Sequence, residues 1–421
     1  MDDACKHYSA SAANLPDDVV VDILSRLPLR PLCCCKCVSR AWRDLISHPD
    51  HRRRLAQTVS GFFYHLHVDD SVVSPPPDPE PYWRFTASSS PPGSPPPFAA
   101  AAAAFPFLPS SYSRPDTDLL DSCNGLLLLR SQRRPATTCC YVVCNPATGD
   151  WVELPPPIHA PGTFGLRSDY LDGKRRTRLA ALAFDPAGTG AGRFHVMQLV
   201  EKEQYHPFHF QYRFVIDAVE IYSSETNTWA VTLSHITEFT GHHVTCAAQQ
   251  ATYHDGSFHF AVDDGGVLSV PTAEGRPWRV TRVFPEPERH ATCGAGAGGG
   301  FVGRSRGRLL YVHRGSRYAA LSVYALESVV WPGVGERWTL KHYASALDQF
   351  GQTLFKEHYG VVAVHPDGNV VFLFDSCRGM LLAYDMDRRT VRDVQPLVQA
   401  SRYYPFFPYV PLYSTEGLSS G

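Results

Sequence analysis

From Leu119 onward the chain repeats one arrangement of short apolar segments, and that repetition limits the folds open to it more than any other feature. Each unit reads as a strand, a tight turn ending in Gly, a second strand, a gap, a third strand, a polar turn and a fourth strand that often begins with Trp. The first copy is LLDSCNGLLLLR followed by YVVCNPATGDWVELP. The second is LAALAFDP, RFHVMQLV and FVIDAVEIYSSETNTWAVTL, and the third is QQATYHDGSFHFAVDDGGVLSVPTAEGRPWRVTRV. The fourth runs GFVGRSRGRLLYVHRGSRYAALSVYALE and ERWTLKHY, and the fifth YGVVAVHPDGNVVFLFDSCRGMLLAYDMDRRTVRDV. Asn124-Gly125, Asp255-Gly256 and Asp367-Gly368 suit tight hairpins, because both central positions of such turns require positive φ. Trp151, Trp229, Trp278 and Trp338 each follow the second turn of their unit, at intervals of about 50 to 80 residues.

Four strands per repeat, repeated around fifty residues apart, imply a β-propeller. A propeller must close its ring. The segments SGFFYHLHV near one end and RYYPFFPYVPLY near the other both read as strands, and pairing them in one blade removes the exposed edges. Five internal units plus one shared blade give six blades, with seven the alternative. The expected propeller covers 59–414, followed by a flexible tail over 415–421. Residues 71–117 are rich in Pro, Ser and Ala and read as a surface insertion, with one strand inside it at Tyr82-Trp83-Arg84-Phe85. Pro155–Arg178 and Lys202–Gln211 read as long loops at one mouth of the ring. They mix Arg, His, Tyr and Phe, a composition suited to interface anchors.

The stretch before the propeller follows a different period. Residues 1–14 are expected to be disordered, and residues 15–58 to form short helices. Pro16 suits a first helical position. Asp17 and Asp18 favour the positive end of the helix dipole. Val19, Val20, Ile23, Leu24 and Leu27 recur at three- and four-residue steps as one apolar stripe, and Pro28 and Pro31 stop that helix. A second short helix carries Leu32 and the cysteines. Ser39 caps a third, with Trp42, Leu45 and Ile46 on its apolar face. About forty residues bury little of their own apolar surface, so a stripe this wide calls for a partner, either the rest of the chain or another protein.

The 421 residues allow one small and one large domain. A net charge of −2 points away from nucleic acid as a general partner. The N-terminal stretch lacks an apolar core, and the alanine tract near Phe98–Phe105 is too short to span a bilayer. With no glycosylation sequon, the twelve cysteines are expected reduced inside the cell, in cytoplasm or nucleus. Cys34 and Cys37 with His48 and His51 approach a zinc-finger spacing, but they fall in a helical stretch and Pro49 separates the histidines, so they read as buried thiols rather than metal ligands. Gly294–Gly299 fits G-x-G-x-x-G without the strand-then-helix context that a dinucleotide needs, and reads as a loop between blades. Arg52–Arg54 and Lys174–Arg176 read as solvated surface. His206, His209, His242, His243, His254 and His259 are scattered, and no catalytic motif accompanies them. No cofactor and no metal are expected.

Leu15-Pro16, Ile23-Leu24, Leu27-Pro28 and Cys37-Val38-Ser39 followed by Trp42-Arg43 resemble the F-box of plant F-box proteins, without a gap. SGFFY, DSCNGLLLL, YVVCNPATGDWVELP and VEIYSSETNTW resemble their F-box-associated, kelch-like propeller region. The resemblance implies docking on a Skp1-type adaptor, and through it on cullin and RING proteins, by Leu15, Pro16, Ile23, Leu24, Leu27, Val38 and Trp42. It implies a non-catalytic subunit of an SCF-type ubiquitin ligase whose propeller binds a target protein. The alternative is a kelch-like propeller enzyme or small-molecule binder with an N-terminal helical cap.

Overall fold

The structure, a computed structural model, describes residues 15–27, 32, 35, 38–47, 51, 59–65, 83–87, 105, 107–109, 112–133, 139–159, 175–185, 192–206, 211–233, 250–262, 265–273, 275–283, 300–315, 320–327, 337–345, 359–397, 400, 406–412 and 418. It divides into two compact units, with the main boundary between Thr58 and Val59.

The first unit holds α1 (Asp17–Ser25) and α2 (Arg40–Ser47). Pro16 stands one residue earlier than expected. It is the cap of α1, with φ −54° and ψ 143°, and its carbonyl accepts the Val19 and Val20 N–H groups at 2.9 and 3.1 Å. Ser39 caps α2 as its sequence suggests, its Oγ accepting the Trp42 N–H at 3.1 Å. Between the helices Leu32 and Cys35 are helical. Val20, Leu24, Leu32 and Ile46 form the core of this unit, with Leu27, Cys35, Trp42 and Leu45 packed against it.

The second unit is a six-bladed β-propeller. Its sixth blade comes first in the chain, with β1 (Gly61–His65) and β2 (Trp83–Ala87). Blade 1 holds β3 (Tyr112–Cys123), β4 (Leu126–Arg133), β5 (Cys139–Asn145) and β6 (Asp150–Glu153). Blade 2 holds β7 (Arg175–Phe184), β8 (Phe194–His206), β9 (Gln211–Ser223) and β10 (Thr228–Leu233). Blade 3 holds β11 (Thr252–His254), β12 (Ser257–Val262), β13 (Gly266–Pro271) and β14 (Arg279–Arg282). Blade 4 holds β15 (Phe301–Ser305), β16 (Arg308–Gly315), β17 (Ala320–Glu327) and β18 (Arg337–Ser345). Blade 5 holds β19 (Tyr359–Val364), β20 (Val370–Asp375), β21 (Met380–Asp385) and β22 (Thr390–Pro396). β23 (Phe407–Tyr409) then returns to pair antiparallel with β1, Phe63 opposite Phe407 and Gly61 opposite Tyr409. The innermost strands β3, β7, β11, β15, β19 and β23 touch in a closed cycle.

The apolar core lies between blades rather than within them. Alternate residues of one strand feed different seams, because successive side chains point to opposite faces. Leu126 and Leu128 pack in the seam of blades 1 and 2, whereas Leu127 and Leu129 pack between blades 6 and 1. That is why LLLL is apolar throughout instead of alternating. The recurrent tryptophans pack on the seams, and Trp338 Nε1 reaches across one to donate to Thr281 Oγ1 at 3.0 Å.

Four expectations change. Asp367-Gly368 is not a positive-φ pair; His365–Asn369 make a wider bend closed by His365 N–H on Val370 O at 2.9 Å, and blade 4 instead uses Arg306 (φ 49°) and Gly307 (φ 69°). Lys202–Gln211 is not simply a loop, since β8 and β9 stay paired out to His206 opposite Gln211, with 207–210 outside the described residues. The 71–117 insertion is partly structural: β2 supplies a blade strand with Trp83 buried, Phe105, Phe107 and Leu108 pack beside it, and β3 starts at Tyr112. Of the expected tail over 415–421 only Leu418 is among the described residues, and it is buried in the seam of blades 1 and 2.

Two predictions follow from the inner strands. Gly125 has φ +94°, and a Cβ there would come within 2.6 Å of Leu412 N, whereas Gly256 at φ +71° has open space around it. Replacing either by Ala costs about 1 kcal/mol in backbone strain. Gly125→Ala adds the collision, so in denaturant titration it should lose at least about 1 kcal/mol more than Gly256→Ala; equal losses would show the contact to be idle. The second concerns Asp121, whose carboxylate accepts the Leu182 N–H of β7 at 2.8 Å and the Ser122 N–H at 2.7 Å. Burial pushes its carboxyl up to about 7, and these two amides offset that only in part. A folded pKa above the unfolded value means the folded state binds the proton more tightly, so this group's contribution is present at low pH and is lost as pH rises through about 4 to 7. The denaturation midpoint should therefore fall between pH 5 and pH 8 more steeply in the wild type than in Asp121→Asn. Identical slopes would refute it.

Candidate functional site

Helix α1 carries apolar residues on two sides. Val20, Val21 and Leu24 are buried, while Leu15, Val19 and Ile23, at four-residue steps, are 53, 42 and 48% exposed. Val38, just before the α2 cap, is 65% exposed. The single stripe expected from the sequence is thus a buried face and an outward line. Of the seven expected docking residues, Leu15, Pro16, Ile23 and Val38 face solvent, and Leu27 and Trp42 are half-buried against the small core. Leu24 is 1% exposed and belongs to that core, so its place on a docking surface is corrected: it holds the unit together. Val19 stands on the same outward line, at the four-residue step between Leu15 and Ile23. The line has a polar rim, with Asp17 and Asp18 exposed and Asp22 paired to Arg26 at 2.6 Å. An apolar line left open in so small a unit costs solvation unless a partner covers it.

The propeller presents two unlike ends. Within each four-stranded blade the strands alternate in direction, so the first and third turns fall at one end of the ring. The middle loop and the connection to the next blade fall at the other. The first end carries short hairpins such as Asn124-Gly125 and Asp255-Gly256. At the second end β6 runs out into Pro155–His159 and β7 begins, its Arg175–Arg178 being strand rather than the loop expected, and there β8 and β9 reach their farthest pair, His206 opposite Gln211. There, Gln250, which precedes β11, donates from Nε2 to the carbonyl of Phe406, which precedes β23. Blades 3 and 6 are opposite in a ring of six, so this bond spans the channel mouth.

The start of the Pro155–Arg178 stretch is pinned in the seam of blades 1 and 2. Glu220 is fully buried, accepts the His159 N–H at 3.1 Å and pairs with the His159 ring at Nδ1. Gln198 Nε2 donates to His159 O and to Glu220 Oε2, both at 2.8 Å, and Tyr141 OH donates to Gln198 Oε1 at 2.7 Å. Trp229 Nε1 donates to Pro155 O at 2.7 Å. A buried carboxyl group that meets the His159 N–H, the His159 ring and the Gln198 amide fixes the segment's register. Residues 160–174 lie outside the described residues.

The other candidate chemistry reduces to structure where it can be seen. His259 bonds Ser269 Oγ at 2.8 Å and His254 O at 3.1 Å, and burial pushes its pKa down to about 4, so it stays neutral inside blade 3. His51 Nδ1 lies 3.1 Å from Leu45 O. Among the described residues no group of three or more His, Cys, Asp or Glu is placed to hold a metal ion. Cys34, Cys37, His48, Arg52–Arg54, Lys174, His209, His242, His243 and Gly294–Gly299 lie outside the described residues. Among the described residues no helix is long and apolar enough to cross a membrane.

Comparison with known proteins bears on both units. Residues 12–58 match the F-box-like family, and residues 102–402 match the β-propeller of the family described as F-box protein At3g26010-like. No curated protein matches the chain. Among solved structures, one in a nidogen/laminin complex is 9% identical and aligns over 83% of this chain and 98% of its own, with a TM-score of 0.37. The Cps50 (Swd1) β-propeller domain of Myceliophteria thermophila is 10% identical over 69% of this chain and 87% of its own, with a TM-score of 0.35. A prolyl endopeptidase is 13% identical over 90% of this chain and 52% of its own, with a TM-score of 0.33. Likeness at that level says nothing about activity or partner. The propeller match alone spans well over half of the residues, and the chain belongs to the F-box proteins with an At3g26010-like β-propeller.

Proposed function

We propose that this protein is the target-recognition subunit of an SCF-type ubiquitin ligase. The F-box unit docks on a Skp1-type adaptor, and through it on cullin and RING proteins, while the propeller holds the target. The observation that carries this reading is the outward apolar line of Leu15, Val19, Ile23 and Val38 in an F-box-like unit followed by a propeller. The subunit performs no chemistry of its own. It raises the effective concentration of target lysines beside the ligase, which is a proximity effect. Such a role places it in the cytoplasm or the nucleus.

Leu15→Ala together with Pro16→Ala tests the docking. Both residues are exposed, so their removal leaves the helical core intact. Interface anchors of this kind cost about 2 kcal/mol or more when truncated. Affinity for a purified Skp1-type adaptor, measured by calorimetry, should drop by well over tenfold with unchanged thermal unfolding of the chain. Leu24→Ala makes the contrast: it should cost about 2–5 kcal/mol of stability in the helical unit. Unaltered adaptor binding by the double variant would sink the assignment.

The target is read at the end of the propeller that carries Pro155–Arg178 and the β8–β9 tip, because scaffolded loops are where recognition concentrates. Proximity labelling with the ligase blocked tests this. A chain with 160–174 and 207–210 replaced by Gly-Ser linkers should lose the enriched proteins of the intact chain while keeping the adaptor. Equal enrichment by both would move target reading elsewhere.

A further inference from the structure

The outer rim of the seam between blades 1 and 2 holds a half-open histidine over a closed carboxyl group. The Glu220 side chain is fully buried, whereas that of His159 is 25% exposed. Ring Nδ1 faces Glu220 Oε1, while Nε2 is open to solvent and makes no hydrogen bond among the described residues. The flanks are apolar. Ile158, next in the chain, is 63% exposed. Val231 of the outer strand β10 stands opposite Glu220 and is 39% exposed. It is two residues from Trp229, whose Nε1 donates to Pro155 O at 2.7 Å, so both side chains stand on the face of β10 that meets Pro155–His159.

Gln198 fixes the hydrogen-bond pattern. Its Nε2 donates to the His159 carbonyl, which can only accept, and the same NH2 group donates to Glu220 Oε2, both at 2.8 Å. The His159 N–H meets Oε1 at 3.1 Å. Both oxygens of Glu220 therefore accept, and a hydrogen must stand between Oε1 and Nδ1, because two bare atoms there would repel. When the pair holds one proton it sits on Nδ1, and Nε2 offers its lone pair outward. The Glu220 charge then lacks a counter-ion. Among the described residues no Lys or Arg pairs with it, and Arg130, which lies near Tyr141 of the same network, is held by Asp118 at 3.2 Å. A charge enclosed in a seam is screened less than one on the surface, so it draws a cation to the open point above it.

We propose that this rim is a docking surface for a segment of another protein that presents a Lys or Arg between apolar side chains. The cation donates to His159 Nε2 and is attracted by the Glu220 charge behind the ring, while Ile158 and Val231 cover its apolar neighbours. His159 makes the contact; Glu220, Gln198 and Tyr141 position it. An acidic segment would meet a buried charge of its own sign. The surface does not rest on the docking of the F-box unit.

The test uses the full chain in mildly alkaline buffer and pools of fluorescein-labelled nonapeptides. Each pool has Lys, Arg, Gln or Glu at the centre, with Leu, Val, Ile and Phe varied on either side. In fluorescence polarisation the Lys or Arg pool should bind saturably and at least tenfold more tightly than the Gln and Glu pools. Equal binding by all four pools, or no saturable binding by the Lys and Arg pools, overturns the proposal. His159→Asn keeps an N–H facing Glu220 and removes the outward nitrogen. It should melt as the wild type does and lose at least tenfold in affinity for the Lys or Arg pool, a loss that a merely structural histidine would not produce. If His159→Asn shows no cooperative melt, Ile158→Ser with Val231→Ser decides, since both residues are exposed, and affinity should fall at least fivefold. Unchanged affinity in the deciding variant overturns the proposal.

Discussion

Six sheets that meet edge-on around an axis leave six inner strands with backbone groups that no neighbouring strand can pair. Buried and unpaired, such groups are costly. In this protein, side chains of one blade reach the backbone of the next. Asp121 takes the Leu182 N–H, Asn124 and Cys123 give to Phe184 O, Thr252 gives to Val302 O, Ser305 to Gly368 O and Ser122 to Pro408 O. These bonds set the rotation between neighbouring blades. The rest of the propeller depends on that rotation, since the apolar seams fit only when the blades stand at the right angle. The pairing of β1 with β23 then joins the two ends of the propeller stretch inside one sheet.

The helical unit solves the opposite problem. It has too few residues to enclose its apolar groups, so it divides them, with Val20, Leu24, Leu32 and Ile46 inward and Leu15, Val19, Ile23 and Val38 outward. Among its described residues a cluster of four buried side chains and a capped second helix hold it together, while the propeller distributes its core over six seams. A surface kept apolar at that cost is consistent with a docking role. Among the described residues of the propeller most large apolar side chains are enclosed, with Ile158, Val231, Leu340 and Tyr343 the exposed ones.

Much of this was legible in the amino-acid order. The spacing of Asn124-Gly125 and Asp255-Gly256 and the recurring tryptophans marked the blades, because hairpin twist and strand alternation are local properties. Closure by strands from both ends was legible for a different reason: an open ring exposes edges. The failures were of three physical kinds. Asp367-Gly368 looks like a hairpin pair, but the bend at His365–Asn369 is longer and needs no positive φ. The Leu24 side chain is indistinguishable from Ile23 by period alone, and which one faces outward is decided by the packing of Ile46 and Leu32 from elsewhere in the chain. The burial of Leu418, and the buried Glu220 behind His159, arise from contacts between residues far apart in sequence, which no local pattern encodes.

The sharing of each strand between two seams has a consequence for how this propeller can change. Odd and even positions of β4 answer to different neighbours, Leu127 and Leu129 to blade 6 and Leu126 and Leu128 to blade 2. No blade owns a core, so none can be gained or lost as a self-contained piece without remaking two seams at once. Substitutions on a strand are instead coupled at every second residue to a sheet on one side and independent of the sheet on the other. Drift in such a chain should run along seams rather than along blades, with compensating changes paired across the ring between segments that are neighbours in space but widely separated in sequence.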